Sequence, residues 1–191
     1  SPTRRWPGGW RVMFALLVLM IGLRHEVGGD WSQYLGFIEN AKYETIFVRG
    51  DPAYSLLNLL AANIGGGAYL VNTVCAVCFS FGLVVFCRAQ PRPWLALVVA
   101  VPYLVTVVAM GYTRQGSALG LIMLGLVALS ERKLTRFVVF VALAATFHKS
   151  AVVLMPLAVF AGTGHRFWTA AWVGLSSVGC YVLVLQDSVT T

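Results

Sequence analysis

Three polar clusters interrupt an otherwise apolar sequence. In the first, His148, Lys149 and Ser150 lie inside the apolar run from Phe137 to Phe160. An imidazole exchanges protons near neutral pH, and an adjacent ammonium group can bind an anion or keep the imidazole neutral. This cluster therefore predicts either acid–base chemistry or a buried polar pair that only orients helices.

The other two clusters contain arginines. The stretch "GLRHEVGGDWSQY" (22–34) includes Arg24 and Asp30, and Arg114 and Gln115 follow Thr113 later in the chain. Guanidinium groups suit phosphate binding, although an arginine at a helix end can also reach lipid headgroups. Asp30 is a candidate base, but it is equally well placed to cap a helix, which would make it a weak base.

The elements that carry these clusters are predicted to be membrane helices. Of 191 residues, 59% are hydrophobic and 11% are charged, with a mean hydropathy of +0.79, whereas soluble domains carry about 25% charged residues. Continuous apolar runs predict helices, since barrel strands alternate apolar and polar residues. We predict one integral membrane domain (1–191), all-α: a polytopic transmembrane bundle of about six spans with a re-entrant half-helix and an interfacial amphipathic helix.

The basic residues indicate sidedness. The net charge of the chain is +7. Most of the basic residues outside the clusters above lie in three short segments. These segments contain Arg4, Arg5 and Arg11; Arg88 and Arg92; and Arg132, Lys133 and Arg136. The positive-inside tendency places them in the cytoplasm, which puts Arg24 and Arg114 together outside. This distribution of basic residues does not indicate nucleic-acid binding. The cysteines, including the Cys75–Cys78 pair, are predicted to pack in the helices rather than to bind a metal.

The predicted spans are the runs Trp10–Leu23, Ala68–Cys87, Trp94–Tyr112, Gly116–Ser130, Phe137–Phe160 and Phe167–Leu185. The first is expected to be retained rather than cleaved as a signal peptide, and the starting residue Ser1 suggests a processed or excerpted chain. If Phe137–Phe160 crosses fully, Arg166 falls on the outer side of the membrane, against the positive-inside tendency. Either "FHKSA" breaks that helix into a re-entrant pair, or Arg166 is an exception.

Two further elements complete the prediction. The run Tyr54–Ile64 extends about 16 Å, too short to span a bilayer, so we expect a half-helix that breaks at Gly65–Gly67. Apolar residues at helical spacing in 31–41 predict the interfacial helix. Gly116 and Gly120 form a small-residue pattern that favours close helix packing.

The order of these motifs resembles the EpsG-like family of bacterial exopolysaccharide polymerases, relatives of the Wzy-type polymerases. The matching stretches are 22–34, "DPAY" (51–54), "RQ-x-x-A" (114–118) and "FHKSA" (147–151). The resemblance covers nearly the whole chain, although family members are usually longer, so this chain is expected to be a truncated or divergent version. The acid in "DPAY" is Asp51, where Glu is expected at least as often.

The resemblance implies an inner-membrane, multi-pass glycosyltransferase that joins undecaprenyl-diphosphate-linked glycan units on the periplasmic side, in exopolysaccharide or capsule synthesis. Expected partners are that glycan, membrane lipid and other polysaccharide export proteins. The expected mechanism is inverting, with no cofactor or metal. Catalytic residues are predicted to be His148, Asp30 and Arg114. The predicted substrate-binding residues are Arg24, Tyr34, Asp51, Gln115 and Lys149.

Two other functions fit the same residues. A lipid-linked sugar transporter or flippase would use the broken helix and the buried His148 and Lys149 as a substrate path. An envelope acyltransferase could also use a histidine close to the membrane.

Overall fold

The fold is helical throughout the part of the chain that the structure describes. The computed structural model describes residues 6–29, 31–41 and 51–157. The helices in these ranges are α1 (Gly8–Gly22), α2 (Trp31–Asn40), α3 (Pro52–Ile64), α4 (Gly67–Arg88), α5 (Pro93–Ala100), a π-helix that continues α5 (Val101–Ala109), α6 (Thr113–Ser130), α7 (Leu134–Phe147) and a 3₁₀-helix (Lys149–Leu154). The predicted all-helical fold is confirmed for these ranges, and the predicted span Phe167–Leu185 lies outside them.

Two of these helices have the length and composition of membrane spans. They are α4 and α6, whereas α1, the helix Pro93–Ala109 and α7 are apolar but shorter. With 22 residues, α4 is about 33 Å long, which matches the roughly 30 Å hydrocarbon core of a bilayer. The total of about six spans stays a prediction.

Helix α4 runs parallel to α6, and the contacts between them set the order of the bundle. Asn72, near the start of α4, lies within hydrogen-bond distance of Thr113, the first residue of α6. Further along both helices, Gly82 contacts Gly120. We call the end where α4 and α6 begin the polar end.

The opposite end collects the basic turns, and we call it the basic end. Arg88, the last residue of α4, lies over the ring of Trp6 with 5.9 Å between the guanidinium carbon and the ring centroid. Trp10 stacks on Trp94 with 4.2 Å between ring centroids, which joins the starts of α1 and α5. The helices α1, α5 with its π-helix, and α7 therefore run from the basic end towards the polar end.

Glycines allow α4 and α6 to touch backbone to backbone. A Cβ atom on Gly82 would lie 2.0 Å from the carbonyl oxygen of Gly120, and one on Gly120 would lie 2.5 Å from the carbonyl oxygen of Cys78. A Cβ on Gly116 would lie 3.3 Å from the Cα of Ala109. The predicted close packing at Gly116 and Gly120 is confirmed, and it places the start of α6 against the end of the π-helix.

Helix α7 ends earlier than a continuous span would. It stops at Phe147, and His148 adopts an extended conformation (φ −155°, ψ 112°). The N–H of Lys149 is donated to Asp51 Oδ1 at 3.2 Å instead of a carbonyl one turn back. The structure therefore shows a helix break at "FHKSA", whereas the re-entrant pair stays a prediction.

The predicted helix Trp94–Tyr112 is irregular for a local reason. It is α-helical only to Ala100 and π-helical from Val101 to Ala109. Pro102 has no N–H to donate, which removes one hydrogen bond of a regular α-helix. The hydroxyl of Thr106 donates to the carbonyl of Val101 at 3.0 Å. Tyr112 (φ −129°, ψ 86°) then separates this helix from α6.

The two short helices α2 and α3 form at the polar end. Helix α3 ends at Ile64, and Gly65 follows with a left-handed φ of +77°, which a glycine adopts without strain. The predicted break is thus confirmed. Helix α2 buries Tyr34 but leaves Leu35 exposed, although the predicted apolar face includes both residues. The depth at which α2 and α3 lie in a bilayer stays a prediction.

Candidate functional site

Asp51 joins three elements that are distant in the sequence. It directly precedes α3, and its side chain is buried, with 4% of the residue exposed. Arg114 Nη1 donates to Asp51 Oδ2 at 2.9 Å, and the backbone N–H of Lys149 donates to Oδ1 at 3.2 Å. Both carboxylate oxygens are therefore used to hold the first turn of α6 and the break after α7 together.

Arg114 remains partly exposed next to this carboxylate, with 25% of its side chain accessible. Its guanidinium carbon lies 5.3 Å from the ring centroid of Phe37 and 5.9 Å from that of Tyr54. Tyr34 packs against Tyr54 with 6.0 Å between ring centroids. An aromatic wall from α2 and α3 thus supports the guanidinium through cation–π contacts and leaves one side accessible.

His148 lies in the break beside this ion pair. The residue is half-buried, and its Nδ1 atom is buried without a hydrogen-bond partner among the described residues. Asp51, Arg114 and Lys149 are all close enough to influence its charge. A substrate hydroxyl would therefore have to reach the imidazole at Nε2.

The charges of this cluster favour an anionic ligand. Arg114 and Lys149 are cationic, and among the described residues Asp51 is the one carboxylate bound to Arg114. Helix α6 begins beside them, at Thr113. The first backbone N–H groups of a helix also attract anions. Lys149 and Gln115 are both exposed at this surface. We call Asp51, Arg114, His148 and Lys149 the polar-end cluster.

Arg24 lies next to this cluster but is enclosed by protein. It is 5% exposed. Its guanidinium donates to the carbonyl of Ala109, to Thr113 Oγ1 and, at 3.4 Å, to Asn72 Oδ1. Burial lowers the pKa of Arg24 because desolvation disfavours the charged form. These contacts tie the loop after α1 to the π-helix, α4 and α6.

A small cavity adjoins Arg24. Its volume is about 10 Å³, and Arg24, Asn72, Thr113 and Ser117 contribute to its wall. The Nε atom of Arg24 and Nδ2 of Asn72 are buried without partners in the described part of the chain. That volume is at the lower limit for one water molecule.

The structure brings most of the predicted site residues together. Arg114, Asp51, His148 and Lys149 form the polar-end cluster, Tyr34 packs behind it, and Gln115 lies beside it on the first turn of α6. Arg24 contacts Thr113, the neighbour of Arg114. Asp30 lies outside the described residues. The site roles of all these residues stay predictions.

Sequence reasoning missed three side chains near the site. Phe37 and Tyr54 contact Arg114, and Asn72 binds Arg24. Asn72 was detectable as a lone amide in the apolar run of α4, since a polar group inside a span needs a partner. Phe37 carried no such signal, because an aromatic residue at its position also suits simple core packing. Tyr54 ends the "DPAY" motif, but the motif alone gave it no role.

Comparison with known proteins supports one family. The model of the EpsG family matches residues 10–187, nearly the whole chain. No curated protein and no solved structure matches the chain. The matched range includes every described helix that contributes to the polar-end cluster, and the apolar helices agree with a membrane location. The chain is therefore a helical membrane protein that belongs to the EpsG family of Wzy-like exopolysaccharide polymerases.

Proposed function

We propose that this protein is a polymerase that joins undecaprenyl-diphosphate-linked oligosaccharide units in the synthesis of an exopolysaccharide or capsule. The observation that carries the proposal is the polar-end cluster, in which the partly exposed Arg114 is held beside His148 and Lys149 by the buried Asp51. A diphosphate is the anionic group that such a cluster suits. Membership of a polymerase family supports the same substrate class.

We further propose a multi-pass orientation in the bacterial inner membrane. The basic end would lie in the cytoplasm, because Arg88, Arg92 and the residues Arg132 to Arg136 gather there. The polar end would then face the periplasm at the level of the lipid headgroups. That is the level at which the diphosphate of a lipid-linked sugar lies.

The proposed reaction is a single inverting displacement. An acceptor sugar hydroxyl attacks the anomeric carbon of the lipid-linked donor, the new glycosidic C–O bond forms, and the bond to the diphosphate oxygen breaks. His148 takes the hydroxyl proton through Nε2, and the diphosphate leaves on its lipid carrier. Arg114 and Lys149 stabilise the charge on this leaving group. Asp30 remains the other candidate base.

Other residues receive supporting roles in this proposal. Asp51 positions Arg114 and the chain after His148, since both of its oxygens are already occupied. Arg24 positions the start of α6, whereas the exposed Gln115 is available to a substrate. Among the described residues no group of three His, Cys, Asp or Glu side chains could hold a metal ion. Metal-independent catalysis is part of the proposal and stays a prediction.

The test is chain growth in proteoliposomes supplied with lipid-linked repeat units. Arg114→Ala is expected to lower the rate about 10²- to 10³-fold, as loss of a charge-stabilising donor does. His148→Ala is expected to lower it about 10²- to 10⁴-fold, the usual contribution of a general base. Arg136→Ala, an exposed arginine at the basic end, is the matched control and should grow chains normally.

Other outcomes of the same assay would refute the proposal. Movement of the lipid-linked unit across the bilayer without chain growth would identify a flippase instead. Transfer of an acyl group would identify an acyltransferase. Chain growth that a chelator abolishes and magnesium or manganese restores would disprove metal independence.

A further inference from the structure

A second group of side chains lies at the polar end, outside the polar-end cluster. It consists of His25, Trp31 and Tyr69 with the carboxylate of Glu26, and we call it the aromatic patch. The imidazole of His25 is nearly parallel to the ring of Tyr69, with 6.2 Å between centroids and 17° between planes. Trp31 meets the same imidazole edge-on at 5.7 Å. Three elements thus meet here: the loop after α1, α2 and α4.

Three of these side chains are exposed, whereas Trp31 is partly buried. The side chains of His25 and Glu26 are 66% and 73% exposed, and Tyr69 is 45% exposed. None of the three rings belongs to a hydrophobic cluster of the described core. The Tyr69 hydroxyl lies 2.9 Å from His25 Nδ1, which fixes the two rings relative to each other. The patch is therefore preorganised without being buried.

Glu26 adds an acceptor group to the patch at a conformational cost. Its carboxylate lies 3.7 Å from His25 Nε2. Its φ of +51° is in the left-handed region that residues other than glycine rarely adopt. Such strain persists where the surroundings demand it, often at ligand sites.

From these features we propose that the aromatic patch binds the saccharide chain of the substrate. The C–H faces of a pyranose ring pack well on flat, exposed aromatic rings, and its hydroxyls donate to a carboxylate or exchange hydrogen bonds with an imidazole. An anionic lipid headgroup fits less well, because the Glu26 carboxylate would repel it. The identification of the saccharide as substrate rests on the proposed polymerase function.

Helix α2 connects the patch to Arg114. Trp31 begins α2, and Phe37, which contacts Arg114, follows six positions later on the same helix. Six residues of α-helix correspond to about 9 Å. That separation is comparable with the length of two linked pyranose rings. A saccharide on the patch would thus extend along α2 from the diphosphate held at the polar-end cluster.

Direct binding, measured without catalysis, tests this inference. The probe is a set of lipid-free oligosaccharides made by partial acid hydrolysis of the producing cell's own envelope polysaccharide. Isothermal titration and saturation-transfer NMR would be carried out on the full chain in lipid nanodiscs. Trp31→Ala, Tyr69→Ala and Glu26→Gln are each expected to raise Kd on the order of tenfold. Tyr69→Trp, which keeps a flat ring, should bind within a few-fold of the unchanged protein.

Tyr103→Ala is the matched control, because Tyr103 is 65% exposed but lies in the π-helix, beside Phe86 and Cys87 near the basic end of α4. Circular dichroism of each variant would show that the helices are intact. No binding to the unchanged protein, or equal losses in Tyr69→Ala and Tyr103→Ala, would overturn the inference. Binding that depends on the patch would support it even if chain growth failed, in which case only the polymerase proposal falls.

Discussion

Two arginines at the polar end carry the same charge in different surroundings. Arg24 is enclosed by the neutral acceptors of Ala109, Asn72 and Thr113, whereas Arg114 is paired with a carboxylate and partly exposed. A buried guanidinium with three protein acceptors is suited to hold elements together. A partly exposed guanidinium on an aromatic wall can still meet a ligand. Their substitution should therefore produce different defects.

Arg24→Gln should lower stability more than substrate affinity. It removes hydrogen bonds from a charged donor and leaves buried acceptors unpaired, which costs about 1–3 kcal/mol. We expect a lower thermal unfolding midpoint and lower kcat, with KM for the lipid-linked substrate unchanged. Arg136→Gln, an exposed residue at the basic end, should change neither quantity. A raised KM at normal stability would instead show that Arg24 binds the substrate directly.

Asp51→Asn should impair catalysis by releasing Arg114. The amide oxygen can still accept from the N–H of Lys149, but the charge that holds the guanidinium is lost. A hydrogen bond to a charged group contributes about 1.5–3 kcal/mol, so we expect a loss of activity of roughly 10- to 100-fold. Asp51→Glu, which keeps the charge, should retain more activity than Asp51→Asn. Equal rates for both variants in the chain-growth assay would contradict the positioning role.

Helices α4 and α6 form the central contact of the described bundle, and glycine makes it possible. The missing side chains at Gly82 and Gly120 let the two backbones touch. This contact also determines where Arg114 lies, since α6 begins two turns before Gly120. The position of the polar-end cluster thus depends on glycines, which have no side chain that could bind a substrate or take part in catalysis.

Gly82→Ala should destabilise the protein because its Cβ would lie 2.0 Å from the carbonyl oxygen of Gly120. Backbone must move to relieve the clash, and overpacking of this kind costs typically 1–3 kcal/mol. A reduced unfolding midpoint and a lower yield of monodisperse protein are the expected observations. Gly36→Ala in α2, where a Cβ meets nothing within 4 Å, is the matched control. Equal stability of both variants would show that α4 and α6 separate without cost.

At the scale of the whole bundle, the described part of the chain separates its charges between two ends. Basic turns collect where α4 and α6 end, and the acid, histidine and arginine of the site collect where they begin. A helix as long as α4 places the two ends about one bilayer thickness apart. This arrangement is what an enzyme needs if it works on lipid-linked sugars on one side of a membrane only.

Cysteine labelling in intact cells tests the proposed orientation. In a background with Cys75, Cys78, Cys87 and Cys180 replaced by Ala, Gln115→Cys should react with a membrane-impermeant maleimide. Arg136→Cys should react only after permeabilisation, because the basic end is proposed to face the cytoplasm. The reverse pattern would invert the proposed topology and place the site in the cytoplasm.

Much of this protein could be predicted from local sequence. Apolar runs and basic turns indicate membrane helices, since hydropathy depends on composition within one segment, and the end of α3 at Gly65 follows from the left-handed conformation that glycine tolerates. The order of four short motifs was sufficient to indicate the EpsG family, which the family comparison confirms. The hydropathy and glycine signals lie within a few residues of the features they predict, and each family motif is itself a short stretch of sequence.

The remaining features depend on how the helices pack. Asp51 binds partners that are 63 and 98 positions away in the sequence. Its hydrogen bond from the Lys149 N–H lies at a helix break, and the apolar pattern of the sequence alone did not decide whether the helix breaks there. The burial of Arg24 and the accessibility of Arg114 likewise follow from which neighbours enclose each guanidinium. Two arginines with similar sequence surroundings thus receive different roles, because desolvation and hydrogen bonding are properties of the assembled bundle.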